Sequence, residues 1–195
     1  AVQHTPFSSG NRIVPLIDGA ASFGKRAELI RGAKKSVYLT TWAFYDDETG
    51  HHTADLLIAK KKAGLDVRLM IDKDTAGLYD KGILARIAAA GVPVLRYQPS
   101  AKNYYEFHSK ILIVDGKYAV LGGMNIGNEY SHMAGHEKWR DTDVLFAGPA
   151  ADDFAIARGF GAVSPEYFFN EQRFEAIQKR RSDAGLPPLP HPIRD

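Results

Sequence analysis

Four short runs of branched and aromatic residues constrain this chain most: RIVPLI (12–17), SVYLTTWAF (36–44), LDVRLMID (65–72) and VPVLRY (92–97). Runs this short and this rich in Val, Ile and Tyr read as strands. Between them the apolar residues keep helical spacing: Phe23, Ala27, Ile30 and Ala33, then Ala54, Leu57 and Ile58, then Ile83, Leu84, Ile87 and Ala88. The second of these helices ends in Lys60, Lys61 and Lys62, cations suited to a helix C-terminus, and Gly64 stops it as Gly91 stops the third. Strands separated by helices at this spacing imply βαβ units. The expected fold is α/β, a mixed, mostly parallel β-sheet flanked by helices on both faces.

The second half changes character. KILIVDGKYAVLGG (110–123) places two apolar runs around Asp115-Gly116, a strong hairpin signal. DTDVLFAG (141–148) reads as one more strand. Pro149 then opens a helix with Asp152 and Asp153 in its first turn, and Ser164-Pro165-Glu166 opens another ending in Lys179-Arg180-Arg181. Four of the ten prolines fall in LPPLPHPIRD (186–195). Residues 1–185 therefore read as a single α/β domain, and 186–195 as a Pro-rich tail or a linker toward a second lobe.

Composition removes several function classes. With 25 Lys+Arg against 23 Asp+Glu, the balance speaks against a duplex-DNA binder with a broad basic face. The absence of cysteine excludes disulfides and zinc–thiolate sites. No apolar run is long enough to span a membrane, which fits a soluble or peripheral membrane protein, and the N-terminus lacks a signal-peptide profile. The chain begins with Ala rather than Met, as after removal of a leader or anchor.

The chemistry gathers around the hairpin. In a strand, residues two apart share a face, so His108 and Lys110 are co-directed, a nucleophile beside a cation. Asp115, at the far end of that strand, suits turn chemistry. The return strand brings Gly122, Gly123 and Asn125 back beside His108: the glycines allow close backbone approach, and an Asn amide donates to an oxyanion. The set suits a phosphoryl group.

H-x-K-x4-D-x6-G-G-x-N, here His108, Lys110, Asp115, Gly122, Gly123 and Asn125, resembles the signature of the phospholipase D superfamily. YLTTWAFYDDETG (38–50), GLDVRLMID (64–72), GGMNIGNEY (122–130) and KWRDTDVLFAGPA (138–150) are similar to segments of its cardiolipin synthase branch. Two departures stand out: the family often carries an acidic residue near Thr40 or Thr41, absent here, and DKDTAG (72–77) is less Gly-rich than usual. The resemblance implies a phosphodiesterase or phosphatidyltransferase acting on phospholipids through a covalent phosphohistidine, with no metal or other cofactor. It assigns His108 as nucleophile, Lys110 as phosphate clamp and Asn125 as a second oxygen ligand. An acid that orients the imidazole is expected at Asp143, with Asp141 and Glu129 as weaker candidates.

The family's site is built from two such motifs, and no other His of this chain is followed by x-Lys. The second motif is expected from a C-terminal lobe, or else from a homodimer partner. Peripheral membrane contact is compatible with Trp42, Phe44, Tyr45, Tyr104, Tyr105 and Phe107 around the motif, although core packing explains many of these. The alternative is a nuclease with the same chemistry, acting as a homodimer, for which Lys60–Lys62 and Lys179–Arg181 would be phosphate contacts. Nucleic acid is the less favoured partner. A third reading is a half-domain that binds phosphate without turnover. His132 and His136 at helical i, i+4 spacing form a weak metal-site candidate, weakened by Gly135.

Overall fold

A computed structural model describes residues 9–97, 108–133, 135–151 and a few positions between 175 and 188. Among the described residues seven strands form a single sheet in the order β1-β7-β6-β5-β2-β3-β4. They are β1 (Arg12–Ile17), β2 (Ser36–Thr41), β3 (Asp66–Asp72), β4 (Val94–Tyr97), β5 (Ile111–Val114), β6 (Tyr118–Gly122) and β7 (Thr142–Ala147). The helices are α1 (Asp18–Gly32), α2 (Glu48–Lys62), α3 (Lys73–Tyr79), α4 (Ile83–Ala89) and α5 (Asn128–Ser131).

The expectation of a mostly parallel sheet is corrected by the pairing. Only β2–β3 and β3–β4 are parallel, while β1–β7, β7–β6, β6–β5 and β5–β2 are antiparallel. The reason lies in strand order. β1 does not pair with β2 across α1 but crosses to the far edge against β7, and the β5–β6 hairpin inserts between the two groups. The spacing rule holds only where α2 and the α3–α4 pair return the chain to the same side.

The central strands explain why the apolar runs are unbroken. Every residue of β2 and of β5 is buried, as expected of strands covered on both faces. One face carries Val37, Leu39, Leu69, Ile71, Leu112, Val120 and Leu145 beneath Leu29 and Ile30 of α1 and Leu57 of α2. The other carries Tyr38, Met70, Ile111, Ile113 and Ala119, against which Ala151 packs. The helices expected after Pro149 fall mostly on residues 152–174, outside the described residues, as do the tail beyond 188 and Tyr104, Tyr105 and Phe107. The predicted strand 36–44 stops at Thr41, and Phe44 is core, fully buried and bridged to Ile126.

The Asp-Gly turn forms as expected. Asp115 (φ 56°) and Gly116 (φ 63°) both adopt left-handed conformations, as a type I′ turn requires, and Lys117 N–H closes the turn on Val114 O (3.0 Å) while the ladder resumes at Val114–Tyr118. Lys60, a candidate phosphate contact, instead donates its Nζ to the carbonyls of Arg31 (2.5 Å) and Ala33 (3.1 Å), capping the end of α1. In the other cluster Lys179 pairs with Asp183 and Arg181 is buried.

Candidate active site

The antiparallel registers bring the signature to one end of the central strands, the edge formed where β2 and β6 finish and β5 and β7 begin. β2 ends at Thr41 opposite the start of β5, and β6 ends at Gly122 opposite Asp143 of β7. Gly122 N–H donates to Lys110 O (3.4 Å), so His108 and Lys110 lie where β5 extends past its ladder. Lys110 is only 3% exposed, an unusual position for an ammonium. Its Nζ donates to His108 O at 3.0 Å and sits 5.5 Å from the centroid of the Trp42 ring. The His108 imidazole is 5.1 Å from the same ring, and His108 itself is exposed. Trp42 is thus the platform on which cation and imidazole meet.

Asn125 is locked into the same corner. Its Oδ1 accepts from Ala43 N–H (3.0 Å) and Thr41 Oγ1 (3.4 Å), on either side of Trp42, and its Nδ2 donates to Tyr130 Oη (3.0 Å). An amide nitrogen has two hydrogens, so one is left for a substrate oxygen.

Gly122 and Gly123 serve a purpose that spacing alone does not disclose. A Cβ on Gly122 would lie 2.1 Å from Asp143 Oδ1, and one on Gly123 would lie 2.5 Å from both carboxylate oxygens of Asp141. Each glycine makes room for one carboxylate of the next strand. The two acids then part company. Asp143 is fully buried, and its Oδ2 accepts from Arg26 Nη2 (2.8 Å), Arg26 Nε (3.2 Å) and the Ser22 hydroxyl. Asp141 stays half-buried at the surface, where Oδ1 takes the N–H of Thr142 (2.7 Å). Arg26 and Ser22 were not legible as site residues, because only the fold brings α1 beneath residues more than a hundred positions away.

Asp115 stands apart from this edge. Its carboxylate accepts the backbone N–H groups of Lys34 (2.9 Å), Lys35 (2.7 Å) and Ser36 (2.9 Å), pinning the hairpin to the start of β2. Burial alone would raise its pKa, but these three donors and the Lys35 charge hold the carboxyl below its usual range.

An aromatic rim surrounds the edge. Tyr79 stacks on Tyr45 (4.4 Å) and tilts against Trp42 (6.2 Å), while Tyr130 meets Trp139 edge-on (5.0 Å). Burial, with Tyr79, Tyr130 and Glu129 nearby, pushes the Tyr45 phenol up. Burial also raises Tyr130, with help from Asp141, Tyr79 and Glu129, against the opposing hydrogen bond from Asn125. Both phenols are therefore protonated at neutral pH. Tyr79 comes from α3, a helix announced only by its Asp72 cap, which takes the N–H groups of Asp74 and Thr75. Glu129 lies close enough to act on both phenols, and its buried Oε2 has no hydrogen-bond partner among the described residues. The His132 and His136 rings engage different groups, Trp139 O (2.9 Å) and Asn128 Nδ2 (3.0 Å).

Comparison with known proteins places this geometry. The family model described as "Cardiolipin synthase, PLD-like domain" matches residues 27–138. A cardiolipin synthase of Halalkalibacterium halodurans is 29% identical over 198 residues, covering 94% of this chain but 38% of the relative. The chain thus spans little more than a third of that relative's length. Among solved structures, the fold is similar to Nuc, a phospholipase D family member from Salmonella typhimurium (TM-score 0.58, 23% identity, 74% of this chain and 89% of that one). It is also similar to phosphatidylserine synthase of Haemophilus influenzae (TM-score 0.63, 23% identity, 88% of this chain and 43% of that one). With His108, Lys110 and Asn125 inside the matched span, the chain belongs to the phospholipase D-like domain family of the cardiolipin synthases.

Proposed function

We propose that this chain is one catalytic lobe of a phospholipase D-type enzyme that cleaves or exchanges phospholipid phosphodiesters through a phosphohistidine. The observation that carries the reading is the convergence of His108, Lys110 and Asn125 around Trp42 at one end of the central strands. An imidazole nitrogen of His108 attacks phosphorus, the P–N bond forms, and the ester P–O bond breaks. The departing alkoxide takes a proton from an acid of the second motif. Water or an alcohol then attacks phosphorus, gives its proton back to that group, and returns the P–N pair to the imidazole. Lys110 and the remaining Nδ2 hydrogen of Asn125 hold the phosphoryl oxygens as charge develops. Glycines 122 and 123 support these groups by admitting the carboxylates behind them.

For the acid that orients His108, Asp141 is better placed than Asp143. Asp143 is engaged by Arg26 and Ser22, whereas Asp141 lies against Gly123 and acts on Tyr130, the partner of Asn125. A homodimeric nuclease with the same chemistry is the second reading, supported by the likeness of fold to Nuc.

Mass spectrometry after brief exposure to phosphatidylglycerol or single-stranded DNA tests both readings. A phosphoryl adduct on His108 is expected with the lipid, and none in His108→Asn at unchanged circular dichroism. An adduct that survives in His108→Asn removes His108 as nucleophile. One formed only with DNA selects the nuclease.

A further inference from the structure

Away from the catalytic edge, a cavity of about 360 Å³ opens between α1 and α2 and reaches down to Leu39 and Leu112 on the sheet. That is somewhat more than twice the ~150 Å³ apolar cavity that takes a benzene, so it has room for about a dozen heavy atoms. Phe23, Ile30, Leu56 and Met133 are among its apolar walls, and Arg26 also lines it.

Arg26 is the unusual member. It is 4% exposed, with Nε and Nη2 engaged by Asp143, Ser22 and the Met124 carbonyl, while its buried Nη1 donates to no acceptor among the described residues. Buried guanidinium N–H groups without an acceptor are rare. The charge is already balanced, because Asp143 lies 2.8 Å away. Asp143 Oδ1 is itself buried without a donor and would repel a second carboxylate.

We propose that this cavity binds a slender amphiphile, which seats one uncharged oxygen, a carbonyl or hydroxyl, on Arg26 Nη1 and lays its hydrocarbon among the apolar walls. Both an acyl ester and a fatty alcohol carry that chemistry. The occupant would bear on the guanidinium that also donates to Met124 O (3.4 Å), one residue before Asn125. The inference is independent of the phosphodiesterase reading.

The test is titration of 1-decanol, and of methyl octanoate as the ester, into the 195-residue chain. Binding is read by the Arg26 Nε–H resonance in nitrogen-15 NMR and by Tm. Saturable binding is expected for at least one of the two, with a shift of that resonance and a rise in Tm. Gly24→Leu is the blocking variant: Gly24 is exposed, lines the cavity, and a Cβ there meets nothing within 4 Å. Leucine also forms helix better than glycine. The variant is expected to keep or raise Tm and to weaken ligand binding at least tenfold. Unsaturable binding of both ligands, or equal affinity in Gly24→Leu, overturns the proposal. Decanoate binding as tightly as decanol at neutral pH overturns it too, since a charge would then be selected.

Discussion

At the residue scale, the Gly-Gly pair shows how a motif can be visible while its reason is not. Sequence spacing marked the glycines as sites of close backbone approach, and in the fold Gly122 lies against Asp143 and Gly123 against Asp141. Those carboxylates arrive on β7 and on the residue just before it, and the Arg26 that neutralises Asp143 arrives on α1, so no local pattern announces the packing. A methyl group on Gly122 would also sit 2.6 Å from Thr142 O, and neither the backbone nor an ion-paired buried carboxylate can yield. Gly122→Ala is therefore expected to cost about 1–3 kcal/mol, as overpacking does. Gly24→Ala, in open space within a helix, is expected to gain up to ~1 kcal/mol. Urea denaturation of the two variants separates steric demand from glycine content, and equal stabilities would contradict it.

At the element scale, the hairpin was legible and its neighbours were not. Asp115-Gly116 between apolar runs fixed the turn, but nothing in the runs states that β5 lies antiparallel to β2. Hydrophobic periodicity reports burial and leaves strand order open. That is why the sheet's antiparallel majority was missed and why α3, with Leu78 72% exposed and a thin apolar face, was overlooked. The device that fixes β5 against β2 is the Asp115 carboxylate, which gathers three N–H groups at the start of β2. Because its pKa is lowered on folding, the group contributes stability above the ordinary carboxylate range near ~4 and loses it as pH falls through the folded value. Asp115→Asn is expected to cost about 1–2 kcal/mol at pH 7. The gap in Tm from wild type should narrow toward pH 3. A gap that is constant or widens in acid would show that the charge is not what holds the strands in register.

At the scale of the whole molecule, the sequence disclosed one copy of the signature, and the fold gathers its His108, Lys110 and Asn125 at the ends of the central strands. Among the described residues His108 and the rim residue Trp139 (39%) are exposed, on the surface where a second lobe is expected. The two origins of that lobe make different demands. A C-terminal lobe in the same polypeptide fits a chain spanning 38% of its cardiolipin synthase relative, and it leaves the 21.5 kDa chain without the group that protonates the leaving alcohol. An isologous dimer instead supplies that group from a second His108. We expect the first arrangement. Light scattering should then give the monomer mass, and alcohol release should not exceed one equivalent per chain, the one freed as the P–N bond forms. A mass of twice 21.5 kDa, with turnover that falls on mixing wild type and His108→Asn in proportion to the mixed dimers formed, would assign the second motif to a second copy.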